Sequence, residues 1–161
     1  MTPYRVAAIV LSDRAAAGTR DDACLPVVEE LLGERFALVA RRVLADDAAK
    51  LQAALIELCD GGHADLVLTS GGTGLGPRDR TPQATAAVLD FEVPGIPEAM
   101  RGASLTRVPA AMLSRAVAGV RGRTLIVNLP GSPKAVRETL AVLLPVLPHA
   151  LDLLAGTVVD G

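Results

Sequence analysis

LVLTSGGTGLGPRDRTP, residues 66–82, runs from an apolar strand into a loop with glycine at 71, 72, 74 and 76, and ends in charge beside a proline. A turn needs one or two glycines. The surplus calls for something that lies against bare backbone. Glycine removes Cβ and admits positive φ. Successive amides can then point into one concavity and hold an anion without a cationic side chain. The motif is neither GxxxxGK[ST] nor a GxGxxG at the first strand–helix turn, so neither a P-loop nor a dinucleotide fingerprint is present. A tight structural turn is the plainer alternative. The loop's length and its Arg78-Asp79-Arg80 ending speak against that.

Outward from this loop, short apolar runs alternate with helical patterns. YRVAAIVL, residues 4–11, suits a strand covered on both faces. SDRAAAGTRDD reads as a loop, and Asp21 or Asp22 caps a helix whose Cys24, Val27, Val28 and Leu31 share a face, stopped by Gly33. FALVARRV, residues 36–43, is a more polar strand nearer an edge. Asp46 or Asp47 caps the next helix, with Leu51, Ala54, Leu55 and Leu58 as its stripe. Residues 65–70 form the third strand. Thr81-Pro82 reads as a cap and a first-turn proline opening a helix near 82–89. FEVPGIP is a bend, IPEAMRGASLTRV a helix, and PAAMLSR a shorter one. AVAGV and TLIVNL flank RGR as a hairpin. Ser132-Pro133 opens a helix over 133–144, and Pro145 starts another to about 155. This alternation predicts one α/β domain over 1–161: a three-layer αβα sandwich with a mostly parallel sheet and one antiparallel strand.

Composition narrows the function. Net charge is −2 with no Lys/Arg block, which excludes broad capture of nucleic acid. With no Trp, one Tyr and two Phe, a base-stacking platform is excluded too. Cys24 and Cys59 lack zinc spacing and read as small core residues. No positively charged leader precedes the first strand and no uninterrupted apolar 18-mer occurs, so the expectation is a soluble, cytoplasmic protein without membrane contact. His63 looks solvent-facing, and His149 suits packing or an interface. Neither position suggests a Ser-His-Asp arrangement.

The candidate site residues lie at strand ends. Asp79 can ligate Mg²⁺ or belong to a solvated cluster. Asp46 is a second acid at the same sheet edge; Asp47 can take the capping role and leave it free. Ser12 and Asp13 end the first strand. Asn128 ends a buried one, where it could read a base or hold its loop, and Ser132 caps the helix that follows. A glycine nest, two acids and no catalytic histidine or cysteine fit phosphoryl or nucleotidyl transfer.

GGTGLGPRDRTP, with PGIPEAMR, AMLSRAVAGVRG, LIVNLPGSPKA and LLPVLPHALDLL, resembles the bacterial molybdopterin adenylyltransferase family, relatives of the gephyrin-type molybdenum-cofactor domains. The likeness runs from Arg5 to about Leu154. It implies transfer of AMP from ATP to the terminal phosphate of molybdopterin, supported by Mg²⁺. It also implies a homo-oligomer, trimer before hexamer, and handover of product to a molybdate-inserting protein. The essential acids of the family fall on Asp46, with Asp47 a rival, and on Asp79. Gly71, Gly72, Thr73 and Gly74 match the phosphate-bordering loop. Ser114, Asn128, Gly131 and Ser132 match its nucleotide side, and Asp13 a position near the adenine. Ala45 stands where the family commonly has proline, which leaves the carboxylate in place. A related molybdopterin-binding protein with a backup, tungsten-cofactor or non-catalytic role is the alternative reading.

Overall fold

β1, Tyr4–Leu11, is an interior strand of the sheet, and both of its faces are apolar. Val6, Ala8 and Val10 face one helical layer, and Ala7, Ile9 and Leu11 face the other. Each large side chain so buried contributes roughly 1.5–3 kcal/mol. The computed structural model describes residues 1–158.

The other strands are β2 (Phe36–Leu44), β3 (Leu66–Ser70), β4 (Phe91–Glu92), β5 (Ala118–Arg121) and β6 (Thr124–Leu129). The sheet order is β2-β1-β3-β6-β5-β4. β1 pairs in parallel with β2 and β3, and β3 with β6. β5 runs against both of its neighbours and is the antiparallel strand expected from the RGR hairpin. β2 is an edge strand, as its mixed polarity suggests, and its burial alternates along much of its length.

Helices cover both faces. α2 (Cys24–Leu32), α5 (Gly95–Leu105), α6 (Pro133–Leu143) and α7 (Leu147–Ala155) supply the core of one layer. α3 (Ala48–Asp60) and α4 (Thr81–Ala86) supply the other. Asp22 accepts the amides of Cys24 and Leu25 and closes the start of α2. Asp47 accepts the Lys50 amide at the start of α3, and Ser132 the Ala135 amide at the start of α6. No single helix among the described residues is long and apolar enough to cross a membrane.

Four expectations change. The first loop contains a short helix, α1 (Asp13–Ala16), because Ser12 accepts the Ala15 amide and caps it. The FEVPGIP bend contains β4, whose two residues pair with β5. Thr81 is the first residue of α4 rather than its cap, and its amide donates to Gly72. α7 starts at Leu147 rather than Pro145, after a 62° break from α6.

Candidate active site

The connections of β1 and β3 diverge. After β1 the chain passes to the α2 layer; after β3 it passes to the α4 layer. A crevice opens between the carboxyl ends of two such strands, and open α/β sheets bind ligands there. A cavity of about 350 Å³ lies at this point. Its wall includes Asp13 after β1, Asp46 after β2, Gly71, Gly72 and Asp79 after β3, and Gly131 after β6. The two acids predicted from separate strand ends therefore meet in one cleft. Asp47, the rival of Asp46, caps α3 and does not line it.

Asp13 and Asp46 hold each other through the backbone. The Asp46 amide donates to Asp13 Oδ1 at 2.9 Å, and the Asp13 amide to Asp46 Oδ2 at 3.2 Å. Arg78 closes over the pair. Its Nε and Nη2 reach Asp13 at 2.6 and 2.9 Å, and Nη2 also reaches the Asp46 carbonyl at 3.0 Å. This fork holds the Asp13 carboxyl below its ordinary range, helped by the Asp46 amide. Asp46 is shifted the other way. Burial pushes its carboxyl up, and the negative charges of Asp13 and Asp79 add to that against the Asp13 amide bond.

The glycine loop is held by its carbonyls. Gly72 O accepts from the Thr81 amide, Thr73 O from the Arg115 amide, and Gly74 O from Arg115 Nε. In a trans peptide the N–H points opposite to the C=O. The next amides, those of Thr73, Gly74 and Leu75, are thereby turned away from these anchors. Among the described residues they donate to no protein acceptor, and neither does the Gly72 amide. The nest is shorter than expected at one end: the Gly71 amide continues the sheet and donates to Leu129 O. Gly71 still needs its glycine, because at φ +100° an added Cβ would collide with the Leu11 carbonyl oxygen. Asp79 sits in the same loop. Its Oδ2 accepts the Gly76 amide at 2.9 Å.

Across the loop lies a second cavity, of about 360 Å³. Thr73, Gly74, Ser114 and Ser132 line it, so these predicted residues lie on the opposite side from Asp13. Pro97, Met100, Val108, Ala111 and Leu113 make it mainly apolar. Asn128 lines neither cavity. It is fully buried; its amide nitrogen donates to Thr69 and Thr85, and its oxygen accepts the Val117 amide. Of the two roles open to it, loop holding is the one its geometry serves. His63 and His149 are both exposed and border neither cavity; His149 therefore does not pack within this chain, which leaves the interface alternative of that expectation.

Several wall residues escaped the sequence reading. Arg14 and Arg20 edge the charged cavity, and Arg101 and Lys134 the apolar one. Arg115 was within reach, since it follows Ser114 directly. Its Nη2 also holds the Asp79 carbonyl at 2.7 Å.

Mg²⁺ fits the acids on chemical grounds. Asp46 and Asp79 are hard oxygen donors near enough to raise the proton affinity of Asp46. No group of three or more His, Cys, Asp or Glu among the described residues could hold a metal by itself. Mg²⁺ commonly binds through one or two carboxylates and completes its shell with water and substrate phosphate.

Together these features define an α/β protein with open loop amides and two acids at the switch point of its sheet, an arrangement suited to phosphate groups. Comparison with known proteins narrows the class. Residues 7–149 match the family described as a probable molybdopterin binding domain. A molybdopterin adenylyltransferase of Helicobacter pylori is 40% identical over 97% of this chain and 90% of its own length. That of Escherichia coli K12 is 44% identical over 87% and 73%. The crystal structure of the molybdopterin biosynthesis enzyme MoaB from Thermus thermophilus superposes with a TM-score of 0.90 at 50% identity, covering 95% of this chain and 97% of that one. The chain belongs to the molybdopterin-binding family that includes the bacterial molybdopterin adenylyltransferases.

Proposed function

We propose that this protein transfers AMP from ATP to the terminal phosphate of molybdopterin, giving adenylylated molybdopterin and pyrophosphate for molybdenum cofactor biosynthesis. One observation carries the reading: Asp46, Asp79 and a loop with open amides meet in a charged cavity, with an apolar cavity across the loop.

The attacking group is a phosphate monoester with a second pKa of about 6, mostly dianionic at neutral pH. It needs no general base, and neither exposed histidine is required. The new bond joins a terminal phosphate oxygen of molybdopterin to the α-phosphorus of ATP, and the α–β bridging bond breaks. The barrier is the approach of one anion to another. The amides of Gly72, Thr73 and Gly74 would hold phosphate oxygens in line. Asp46 and Asp79 would hold Mg²⁺, which when bound neutralises charge and polarises the α-phosphoryl group.

The two cavities suit two rings. The apolar one, with Ser114 and Ser132 at its rim, takes the adenine. The pterin edge, rich in N–H donors, matches the carboxylates of the other. On this reading Asp13 belongs to the pterin side, away from the nucleotide position that family likeness implied. It orients Asp46 through the reciprocal amide bonds. Gly71 and Gly131 serve by close approach: a Cβ on Gly131 would stand 3.2 Å from Gly71 Cα. The chain works as one domain within a homo-oligomer, trimer before hexamer. Leu105 and Met112, large apolar side chains that are exposed and line neither cavity, support such contacts.

The test is direct. Purified protein is incubated with molybdopterin, ATP and Mg²⁺, and adenylylated pterin and pyrophosphate are followed by mass spectrometry. Stoichiometric appearance of both supports the reading. Tight pterin binding without product would replace it with the non-catalytic binding role.

A further inference from the structure

Arg115 differs from Arg78, the arginine that closes over the acids. Arg78 is paired with a carboxylate, whereas Arg115 has no acidic partner among the described residues. It is partly buried between the short 3-10 helix Pro109–Leu113 and β5. All its recorded bonds go to main-chain carbonyls of the glycine loop. Nε reaches Gly74 O at 2.8 Å, Nη2 reaches Asp79 O at 2.7 Å, and its own amide reaches Thr73 O at 2.9 Å.

These three contacts have two consequences. Anchoring the carbonyls of Thr73 and Gly74 turns the amides of Gly74 and Leu75 the other way, and those are two of the open donors. Anchoring the Asp79 carbonyl fixes the backbone from which that carboxylate projects. Among the described residues no other side chain binds the Asp79 backbone. Without Arg115 the segment from Gly74 to Asp79 would keep only the internal Gly76–Asp79 bonds and the fork of the exposed Arg78 side chain onto Asp13 and the Asp46 carbonyl. Among the described residues, no main-chain group of the segment would then be bonded outside it.

We propose that Arg115 is a positioning residue that sets the open amides of the glycine loop and the Asp79 carboxylate as one unit, joining the two sides of the site. The kinetic part of this claim rests on the adenylyl-transfer reading; the anion-binding part does not. Lysine cannot replace it, because an ammonium cannot span two separated carbonyls as a planar fork does.

The test compares wild type, Arg115→Lys and Arg115→Met in turnover, thermal melting and affinity for inorganic pyrophosphate by calorimetry, well below the melting temperature. In both variants kcat is expected to fall about 100-fold, as for a misplacement near 1 Å. Pyrophosphate affinity should weaken roughly tenfold, the size of one lost or misaimed charge-assisted hydrogen bond. Melting should drop by only a few degrees. Wild-type kcat and pyrophosphate affinity in a folded Arg115→Met would overturn the proposal, whatever its melting temperature. If Arg115→Met does not fold, Arg115→Lys decides by the same two readings. Should the wild type transfer no AMP, the functional reading fails and pyrophosphate affinity alone decides: weakened binding in the variants supports Arg115's role, and unchanged binding refutes it.

Discussion

Two cavities of nearly equal volume share the glycine loop as a wall, and their chemistry is opposite. One is ringed by Asp13, Asp46, Asp79, Arg14 and Arg20; the other by Pro97, Met100, Val108, Ala111 and Leu113. The difference follows from what builds each. The charged cavity is made of strand ends and the turns after them, where backbone groups run out of ladder partners and polar side chains collect. The apolar cavity is made of flanks of α5 and α6 and the 3-10 helix, whose side chains belong to the same layer as the core. A loop between them can hold a phosphate chain while each side holds a ring. Division of labour predicts that changes on the charged side alter turnover and those on the apolar side alter affinity.

Asp79→Asn offers the hardest trial of that division. The substitution keeps size and can still accept the Gly76 amide, but removes the charge that faces Asp46. Turnover should fall by about 10²–10³, while KM for ATP and the affinity for molybdopterin change by less than about threefold. Steady-state rates beside titrations of both substrates measure this. Equal losses in rate and binding would erase the distinction between the cavities.

Ala111→Phe makes the converse change. Ala111 lies on the wall of the apolar cavity and carries no charge. A phenyl group there would occupy space that the reading assigns to adenine. KM for ATP should rise about 10–100-fold, the usual worth of a few methylenes' misfit. At saturating ATP, kcat should stay within about threefold. A fall in kcat without a change in KM would place the ring elsewhere.

The same contrast explains what the sequence disclosed. Asp46, Asp79 and the glycines occupy fixed places after strands, so once the strands are found their convergence follows from parallel topology. Asp47 took the cap and left Asp46 for the cleft, as the doubled acid allowed. Met100 and Val108 carried no such mark: on a helix pattern, an apolar residue facing a cavity looks like one facing the core. β4 was hidden because two exposed residues, Phe91 and Glu92, show no alternation. α1 was hidden because one capped turn is too short for a 3.6-residue period. Asn128 stood at the right strand end, yet its role was settled by Thr69 and Thr85, neighbours no spacing reveals.

Asp46→Asn tests the charged side through stability. Its carboxyl titrates above the ordinary range in the fold. Across the window from the ordinary value up to the raised one, the native state binds more protons than the unfolded chain. Stability therefore falls as pH rises through that window, and the cost persists above it. Asparagine is neutral at every pH and escapes the cost. At pH 7 the variant should melt about 1–3 °C above wild type, with the advantage vanishing near pH 3. Its turnover should be nearly abolished. Melting curves from pH 3 to 7.5 check the sign. A variant less stable than wild type at neutral pH would mean that the bond to the Asp13 amide outweighs the crowding of charge.

Arg78→Gln should have the smallest effect and the opposite pH sense. The pair it forms with Asp13 is exposed, with side-chain accessibilities of 62% and 42%, so screening by water and salt leaves it little net worth. Melting at pH 7 should shift by no more than about 2 °C. The acid limb is more telling. Asp13 is held below its ordinary range first by the Arg78 hydrogen bond, so its contribution is present above the unfolded value and lost as pH falls through the depressed one. Removing the guanidinium returns Asp13 towards its ordinary range and takes that contribution away. Acid unfolding followed by circular dichroism should then begin at higher pH than in wild type, and added salt should narrow the gap. Two neighbouring carboxylates would thus respond to acid in opposite directions because one is held by an arginine and the other is buried beside acids. An unchanged acid limb in Arg78→Gln would assign the depression of Asp13 to the Asp46 amide and leave Arg78 as a tether of the glycine loop to the β2 loop through the Asp46 carbonyl.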